Sequence, residues 1–318
     1  MSVMSPVILA IPSKGRLKEQ VEAWLADAGL KLEADGGERG YRARIAGLAG
    51  LEVRLISAGE IARALSAGEV HLGVTGEDLL REQGEDLEAR ALLLRPLGFG
   101  RADLVVAVPQ SWLDVETMAD LEEVAHQHLA RTGRRLRVAT KYVAQTRAFF
   151  ARHGVGDYRI VESAGATEGA PAAGTAEVVV DITTTGATLA ANHLAVLSDG
   201  VILKSQAQLA AGLLADWSGD GLAVARRLLS QLEARARARR TLTLVWPSEQ
   251  DAAARAAVDG LGGQARANGL LIPRGELGSV SAALEAAGIG PVTAAAPEYV
   301  FDPDCPPWSE LASRVVKN

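Results

Sequence analysis

The sequence predicts an α/β protein with largely parallel, buried strands, followed by a small C-terminal α+β module. Two observations predict this. Short apolar runs recur along the chain, and each is followed by a stretch with helical spacing of its apolar residues. After Arg240 the same kind of alternation starts afresh in a shorter unit.

The elements follow in order. VILAI (7–11) reads as a strand, and a helix follows from about Ser13, with Ser13 as its N-cap. Leu17, Val21, Trp24, Leu25 and Ala28 fall on one face of that helix. VHLGVT (70–75) precedes GEDLLREQ. DLVVAVP (103–109) precedes a helix around 114–131, and RLRVAT (135–140) precedes one around 143–153. YRIVES (158–163) leads into a short helix, and EVVVD (177–181) leads into TTTGATLAANHL. Residues 205–240, rich in Ala, Leu and Arg, read as one long helical stretch interrupted at Gly219 and Gly221. The last unit reads as strand TLTLVW, helix DAAARAAVDGL, strand GLLIPR, helix SVSAALEAAGI and then PVTAAAPEYVF, stopping before a final strand.

A chain of 318 residues is long enough for two or three domains. Hydrophobic residues make up 48% and charged residues 23%, an ordinary globular mix. The net charge is −6, and the one Lys/Arg block is ARARARR at 234–240, so the balance points away from nucleic acid while leaving room for a local basic pocket. Aromatic residues are 4% of the chain, too few for base-stacking platforms. Cys305 is the lone cysteine, which suits a reducing cytosol. The N-terminus lacks a basic leader region, and no segment approaches the ~20 apolar residues that span a bilayer, so a cytoplasmic protein away from the membrane is expected. The five histidines show no metal-ligand spacing beyond His126-x-His128, which would face different ways on a helix, and all five read as surface residues.

The string AEVVVDITTTGATLAANHL holds the most chemical information. A buried strand ends at Asp181, a hydroxyl- and glycine-rich loop spans Thr183–Gly186, and a helix begins near Ala187. Loops at the carboxyl ends of parallel strands face the ligand crevice. A helix start offers unpaired N–H groups suited to a phosphate. Gly186 permits close approach or positive φ, and Thr183, Thr184, Thr185 and Thr188 add hydroxyl donors. Asp181 can accept hydrogen bonds from ribose hydroxyls. A Gly/Thr loop alone is equally a plain strand-to-helix connection; the full D-x-x-T-T-G-x-T-L string after an apolar strand is far more specific.

That loop resembles the phosphoribosyl-pyrophosphate (PRPP) loop of phosphoribosyltransferases. IPSKGRL (11–17), VHLGVTGEDLL (70–80), LGFGRADLVVAVP (97–109), VATKY (138–142), GATEGAP (165–171) and DITTTGATLAAN (181–192) together are similar to the ATP phosphoribosyltransferase family, in its order and spacing across residues 6–205. The resemblance implies a two-lobed, periplasmic-binding-protein-like catalytic core. It also implies a reaction in which adenine N1 of ATP displaces pyrophosphate from PRPP with Mg²⁺ assistance, at the start of histidine biosynthesis. The division it suggests is lobe I at 1–104 with a return segment 190–240, lobe II at 105–189, and a C-terminal module at 241–318.

Two highly charged substrates need cations and helix ends in an acidic chain. Lys14 and Arg16 open the first helix, where positive charge opposes the dipole, so a local anion is the better explanation for them. The resemblance assigns Arg16 to the leaving pyrophosphate, with Lys14 beside it, and puts Glu168 in the active site near ribose or the adenine amine. It makes Asp181 and Thr183–Thr188, with Gly186 and Ala187 among them, the PRPP-binding turn. Gly76, Asp78, Lys141 and Tyr142 fall in the ATP pocket; alone, Asp78 reads as a first-turn carboxylate and Lys141 and Tyr142 as a surface lysine and a packed tyrosine. Mg²⁺ is expected through the substrate phosphates, and no catalytic triad is needed, since adenine N1 is already a nucleophile.

The chain departs from the family's pattern at Ser57, where an arginine usually precedes the segment matching GEIA (59–62), with Arg54 and Arg63 nearby. Its length and residues 241–303 resemble a divergent long form, whose ferredoxin-like domain implies a histidine-regulated homo-oligomer, dimer or hexamer. The short form of the family would instead imply a histidyl-tRNA-synthetase-like regulatory subunit. Two other readings compete: a non-catalytic two-lobed protein holding a small anion, and a phosphoribosyltransferase acting on another base.

Overall fold

The computed structural model describes residues 6–34, 41–163 and 165–316. β1 (Val7–Pro12) is buried at every position but Ile8, as the apolar run predicts for a central strand. α1 (Gly15–Asp27) buries Val21 and Leu25, with Leu17 and Trp24 packed beside them on the predicted face. Its start differs from the expectation. Lys14 is the N-cap and contributes no side-chain cap, while the Ser13 N–H donates to Ile56 O at 2.9 Å. The chain turns at Gly15, whose φ of 75° favours glycine, and that moves the helix start past Ser13.

Lobe I continues with β2 (Leu32–Ala34), β3 (Arg42–Ile45), β4 (Leu51–Ile56), α2 (Ala58–Ala67), β5 (Leu72–Gly76), α3 (Glu77–Arg81), α4 (Leu87–Arg90) and β6 (Ala91–Pro96). Lobe II holds β7 (Ala102–Pro109), α5 (Met118–Thr132), β8 (Leu136–Thr140), α6 (Val143–Arg152) and β9 (Tyr158–Glu162). A 3-10 turn at Thr167–Gly169, β10 (Val178–Thr183), α7 (Ala187–Ala191) and β11 (Leu194–Ser205) complete it. The chain returns to lobe I through β12 (Ala207–Gly212) and α8 (Gly221–Arg240).

The lobe I sheet runs β2-β3-β4-β1-β5-β12-β6 and the lobe II sheet β11-β7-β10-β8-β9. The predicted strands are present, each followed by its helix except Tyr158–Glu162, which leads only into a 3-10 turn, yet the sheets are mixed rather than largely parallel. β1 pairs in parallel with β4 and β5, and β8 with β9 and β10. The strands that carry the chain between lobes run antiparallel to their neighbours. The expected helix over 205–220 is a second correction. β12 is buried at all six positions between β5 and β6, and a continuous Ala/Leu run has no period that separates a buried strand from a helix.

The two crossings lie side by side. Leu97 N–H donates to Ala207 O at 2.9 Å, and Ala207 N–H to Phe99 O at 3.0 Å. This paired ribbon, 97–101 against 206–207, is the hinge between lobes. Each lobe has its own core. Leu104, Val106, Val138, Phe150 and Val180 fill lobe II, while Leu9, Ile11, Val21, Leu25 and Val53 fill lobe I beneath α1 and α8.

After α8 come β13 (Thr241–Val245), α9 (Asp251–Ala257), β14 (Gln264–Arg266), β15 (Gly269–Pro273), α10 (Leu277–Ala286) and β16 (Thr293–Ala295). Their order β14-β15-β13-β16, antiparallel throughout, is the ferredoxin-like arrangement. The final strand, unread in the sequence, is β16; three exposed small residues gave no strand signal. α11 (Pro306–Val315) leaves this module and packs on lobe I, where Leu311 and Cys305 join the core against α8 and β6.

Candidate active site

The parallel strands aim their carboxyl ends, and the starts of α1, α2, α3, α6 and α7, at the lips of the two lobes. Two contacts tie the lips to the hinge. Leu17, in the first turn of α1, lies against Gly100, where a Cβ would come within 3.1 Å of Leu17 Cδ1. Thr184 Oγ1 donates to Arg101 O at 3.5 Å. The turn after β10 and the start of α1 therefore flank one crossing strand.

The Thr183–Thr188 turn is open. Thr184, Thr185, Ala187 and Thr188 are exposed, and Gly186 sits at φ 76°, ψ −7° as the N-cap of α7. A Cβ on Gly186 would meet nothing within 4 Å, so conformation and not space requires glycine there. Part of the turn's donor capacity is already used. Gly186 N–H donates to Thr183 Oγ1 at 2.8 Å and Ala187 N–H to Thr185 Oγ1 at 3.4 Å. Among the described residues, the amides of Thr184, Thr185 and Thr188 have no such partner. With five residues α7 has little macrodipole, so these local N–H groups and hydroxyls are what the turn offers an anion.

Asp181 stands at the floor of the turn, half-buried, its Oδ1 accepting from Ile182 N–H at 2.8 Å. Burial pushes its carboxyl above the usual carboxylate range, against the Ile182 N–H and the Lys141 cation, and the Glu168 charge pushes the same way as burial. Asp181, Lys141 and Glu168 thus form one electrostatic neighbourhood. Ala166, just before the 3-10 turn that carries Glu168, holds φ 50° without being glycine, and buried Thr167 bonds to Ser163 Oγ at 3.2 Å.

Lys14 and Arg16 are exposed, and no hydrogen bond or ion pair holds either among the described residues. Ser57, where the resemblance led to the expectation of an arginine, has a local task. Its hydroxyl accepts from Glu60 N–H at 3.3 Å while its own N–H donates to Glu60 Oε2 at 2.9 Å, a capping box that starts α2. Arg54 pairs with Glu52 at 2.9 Å and Arg63 with Glu69 at 3.1 Å.

Asp78 and Tyr142 meet, but in the seam between lobes. Tyr142 Oη donates to Asp78 Oδ2 at 2.7 Å and Ser205 Oγ to Asp78 Oδ1 at 2.7 Å; Asp78 N–H donates to Ser205 Oγ at 3.0 Å. Both side chains are buried, and burial followed by the Asp78 charge pushes the Tyr142 hydroxyl far above its ordinary range. Gly76 is required by space: a Cβ there would lie 2.3 Å from Asp78 Oδ1. Lys141 Nζ sits 5.0 Å from the Tyr142 ring centroid, and its side chain is exposed. Sequence reasoning missed Ser205, because LKSQAQL read as the start of a helix, and Glu82, because GEDLLREQ directed attention to Asp78 alone.

His71 corrects the reading of the histidines as surface residues. It is buried, its Nδ1 accepting from Ile8 N–H at 3.1 Å and its Nε2 lying 2.8 Å from Asp216 O, edge-on to Trp217. Burial holds its pKa below the ordinary value. Among the described residues, no group of three or more His, Cys, Asp or Glu could hold a metal on protein ligands alone.

A family model described as ATP phosphoribosyltransferase matches residues 57–233. The chain is 67% identical over 301 residues to an ATP phosphoribosyltransferase of Caulobacter vibrioides (strain NA1000 / CB15N), covering 94% of each. It is 51% identical over 319 residues to an ATP phosphoribosyltransferase of Rhodopseudomonas palustris (strain HaA2), covering 97% of this chain and 98% of the relative. Among solved structures, the ATP phosphoribosyl transferase (HisG:HisZ) complex from Thermotoga maritima shares the fold over 71% of this chain and 96% of that one, with TM-score 0.55 and 24% identity.

Proposed function

This chain belongs to the ATP phosphoribosyltransferase family, and from that premise we propose how its own residues divide the reaction. The enzyme transfers the phosphoribosyl group of PRPP to N1 of the adenine of ATP and releases pyrophosphate, the first step of L-histidine biosynthesis. The competing reading of a two-lobed binding protein without chemistry falls with that membership, as does transfer to another base.

The observation that carries the residue assignment is the exposed turn with unpaired amides beside Asp181, Lys141 and Glu168. The amides of Thr184, Thr185 and Thr188 and the hydroxyls of Thr183, Thr184, Thr185 and Thr188 clasp the 5′-phosphate, with Gly186 and Ala187 shaping the turn. Asp181 and Glu168 accept from ribose hydroxyls. Arg16, with Lys14, neutralises the departing pyrophosphate as the C1–oxygen bond breaks and the N1–C1 bond forms. Lys141 guides the ATP phosphates at the opposite lip. Gly76, Asp78 and Tyr142 shape that pocket's wall rather than donate to substrate, because the Asp78 carboxylate and Tyr142 hydroxyl already satisfy each other.

Mg²⁺ fits this arrangement as an ion shared with the substrates. Asp181 and Glu168 offer carboxylate oxygens at the turn, and a hard cation accepts one or two of these plus phosphate oxygens. Bound there, it would neutralise phosphate charge. The test is pyrophosphate release from purified protein with ATP, PRPP and Mg²⁺, each omitted in turn. Turnover is expected only with all three together.

The partition into lobe I (1–104 with 190–240), lobe II (105–189) and module (241–318) is a working one. The sheets favour a return to lobe I that starts after Ser205, because β11 belongs to the lobe II sheet, and α11 lodges on lobe I. A four-stranded module beyond the catalytic core supports the long form, a histidine-regulated homo-oligomer, over dependence on a histidyl-tRNA-synthetase-like subunit. A cytoplasmic location without nucleic-acid partners remains part of the proposal; no helix among the described residues is long and apolar enough to cross a membrane.

A further inference from the structure

α6 begins at Val143 behind Tyr142, and its N-cap supplies no side-chain acceptor of its own. Its first amides have an acceptor all the same. Ala144 N–H donates to Glu82 Oε1 at 2.7 Å, and Gln145 N–H donates to Glu82 Oε2 at 3.3 Å. The Gln145 side-chain amide reaches back, donating to Asp78 O at 2.8 Å and to Glu82 Oε2 at 3.4 Å. Glu82 lies at the end of α3 in lobe I, and α6 belongs to lobe II. One lobe thus supplies the capping carboxylate for a helix of the other, where helix-start amides and partial positive charge favour an anion.

Part of the seam near Glu82 is open. A cavity of about 300 Å³ lies against it, lined in part by Leu87, Ala144, Gln145, Ala148, Ile202 and Leu203. Polar capping by Glu82 works at this edge beside Leu79, which packs against the cores of both lobes. Lys141 and Tyr142 immediately precede the capped turn, and Lys141 acts electrostatically on Asp181.

We propose that Glu82 is a positioning residue of the transferase: by capping α6 from the opposite lobe it fixes the lobe angle at the seam and holds Lys141 and Tyr142 at the cleft. Glu82 touches no substrate and acts through α6. The proposal rests on the reading of this cleft as the active site.

The experiment compares Glu82→Ala, Glu82→Gln and the neighbouring exposed control Glu85→Ala, using steady-state pyrophosphate release and amide hydrogen exchange. Loss of the cap is expected to speed exchange at Ala144 and Gln145 by roughly five-fold or more. It should lower kcat/KM by roughly five- to thirty-fold. Glu82→Gln keeps one acceptor oxygen and should recover part of both effects; it also serves if the alanine variant does not fold. Glu85→Ala should match the parent. Unchanged exchange in the Glu82 variants would overturn the cap itself. Faster exchange with kcat/KM within about two-fold of the parent would reduce Glu82 to a structural cap and overturn the positioning role. A parent protein without turnover would defeat the active-site reading instead, and the exchange comparison would still decide the cap.

Discussion

Gly186→Ala tests the phosphate turn with a single added carbon. Gly186 holds φ 76°, ψ −7°, and a Cβ there would meet no atom within 4 Å. No clash is added, so the whole effect is the cost of a left-handed conformation in an L-residue, roughly 1–2 kcal/mol. The turn then spends roughly five- to thirty-fold less of its time in the phosphate-ready shape, and apparent affinity falls by the same factor. Once PRPP is bound the turn is the same as before, so kcat should stay within about two-fold while the KM for PRPP rises five- to thirty-fold. Gly186→Asn should lose less, because asparagine visits the left-handed region more readily. The melting temperature should fall modestly, since the strain of alanine at positive φ outweighs its restriction of the unfolded chain. Initial rates with PRPP varied at saturating ATP provide the assay. An unchanged KM for PRPP, or a rise confined to the KM for ATP, would refute the assignment of this turn to the 5′-phosphate.

Arg16→Ala should lower turnover by at least roughly ten-fold, the loss of one charge-assisted contact to the leaving group, and an unchanged rate in the pyrophosphate assay would remove Arg16 from that role. Asp181→Asn should abolish most activity yet raise the melting temperature at pH 7. Burial lifts the folded Asp181 pKa above its ordinary 3.8, so its ionised form costs stability at neutral pH, and the variant's gain should shrink as pH falls toward 3.8. His71 has the opposite sense. Its folded pKa lies below the ordinary 6.5, so the stability it contributes is present above 6.5 and is lost as pH falls through and below that value. Melting scans from pH 8 to 5 should show that loss in the parent, and a smaller one in His71→Gln.

Where local signals agreed with the tertiary environment, the sequence was legible. The strand–turn–helix at Val178–Ala191 combined an apolar run, a glycine at a left-handed position and threonines free to face solvent, and each of these is a local property. The β12 segment was not legible, because Ala and Leu in succession satisfy a buried strand and a helix equally, and only its place between β5 and β6 decides. Asp78, Tyr142 and Ser205 illustrate a third case. Asp78 and Tyr142 were visible as polar residues in motifs and Ser205 was not, and their mutual bonds span up to 127 positions in sequence, so nothing local foretells them. His71 was misread for the same reason: its two partners lie 63 and 145 residues away.

α1 shows how such distant partners bear on function, because it is charged against its own dipole at both ends. Its C-terminal Asp27 places a carboxylate where unpaired carbonyls already concentrate negative charge. The fold resolves that conflict itself. Arg235 and Arg239 of α8 both bind Asp27, with Arg235 Nη2 at 2.8 Å from Oδ1, and their hydrogen bonds hold its carboxyl far below the usual carboxylate range. Its N-terminal Lys14 and Arg16 place cations where unpaired amides concentrate positive charge, and among the described residues no carboxylate answers them. On the proposed assignment, this helix is compensated at one end by two guanidiniums, and its uncompensated end meets the pyrophosphate that the reaction releases. The same helix also ties that site to the C-terminal module, because α8 runs directly from its grip on Asp27 into β13. On that assignment, a change in the module that draws Arg239 away from Asp27 would act on the helix proposed to meet the leaving group.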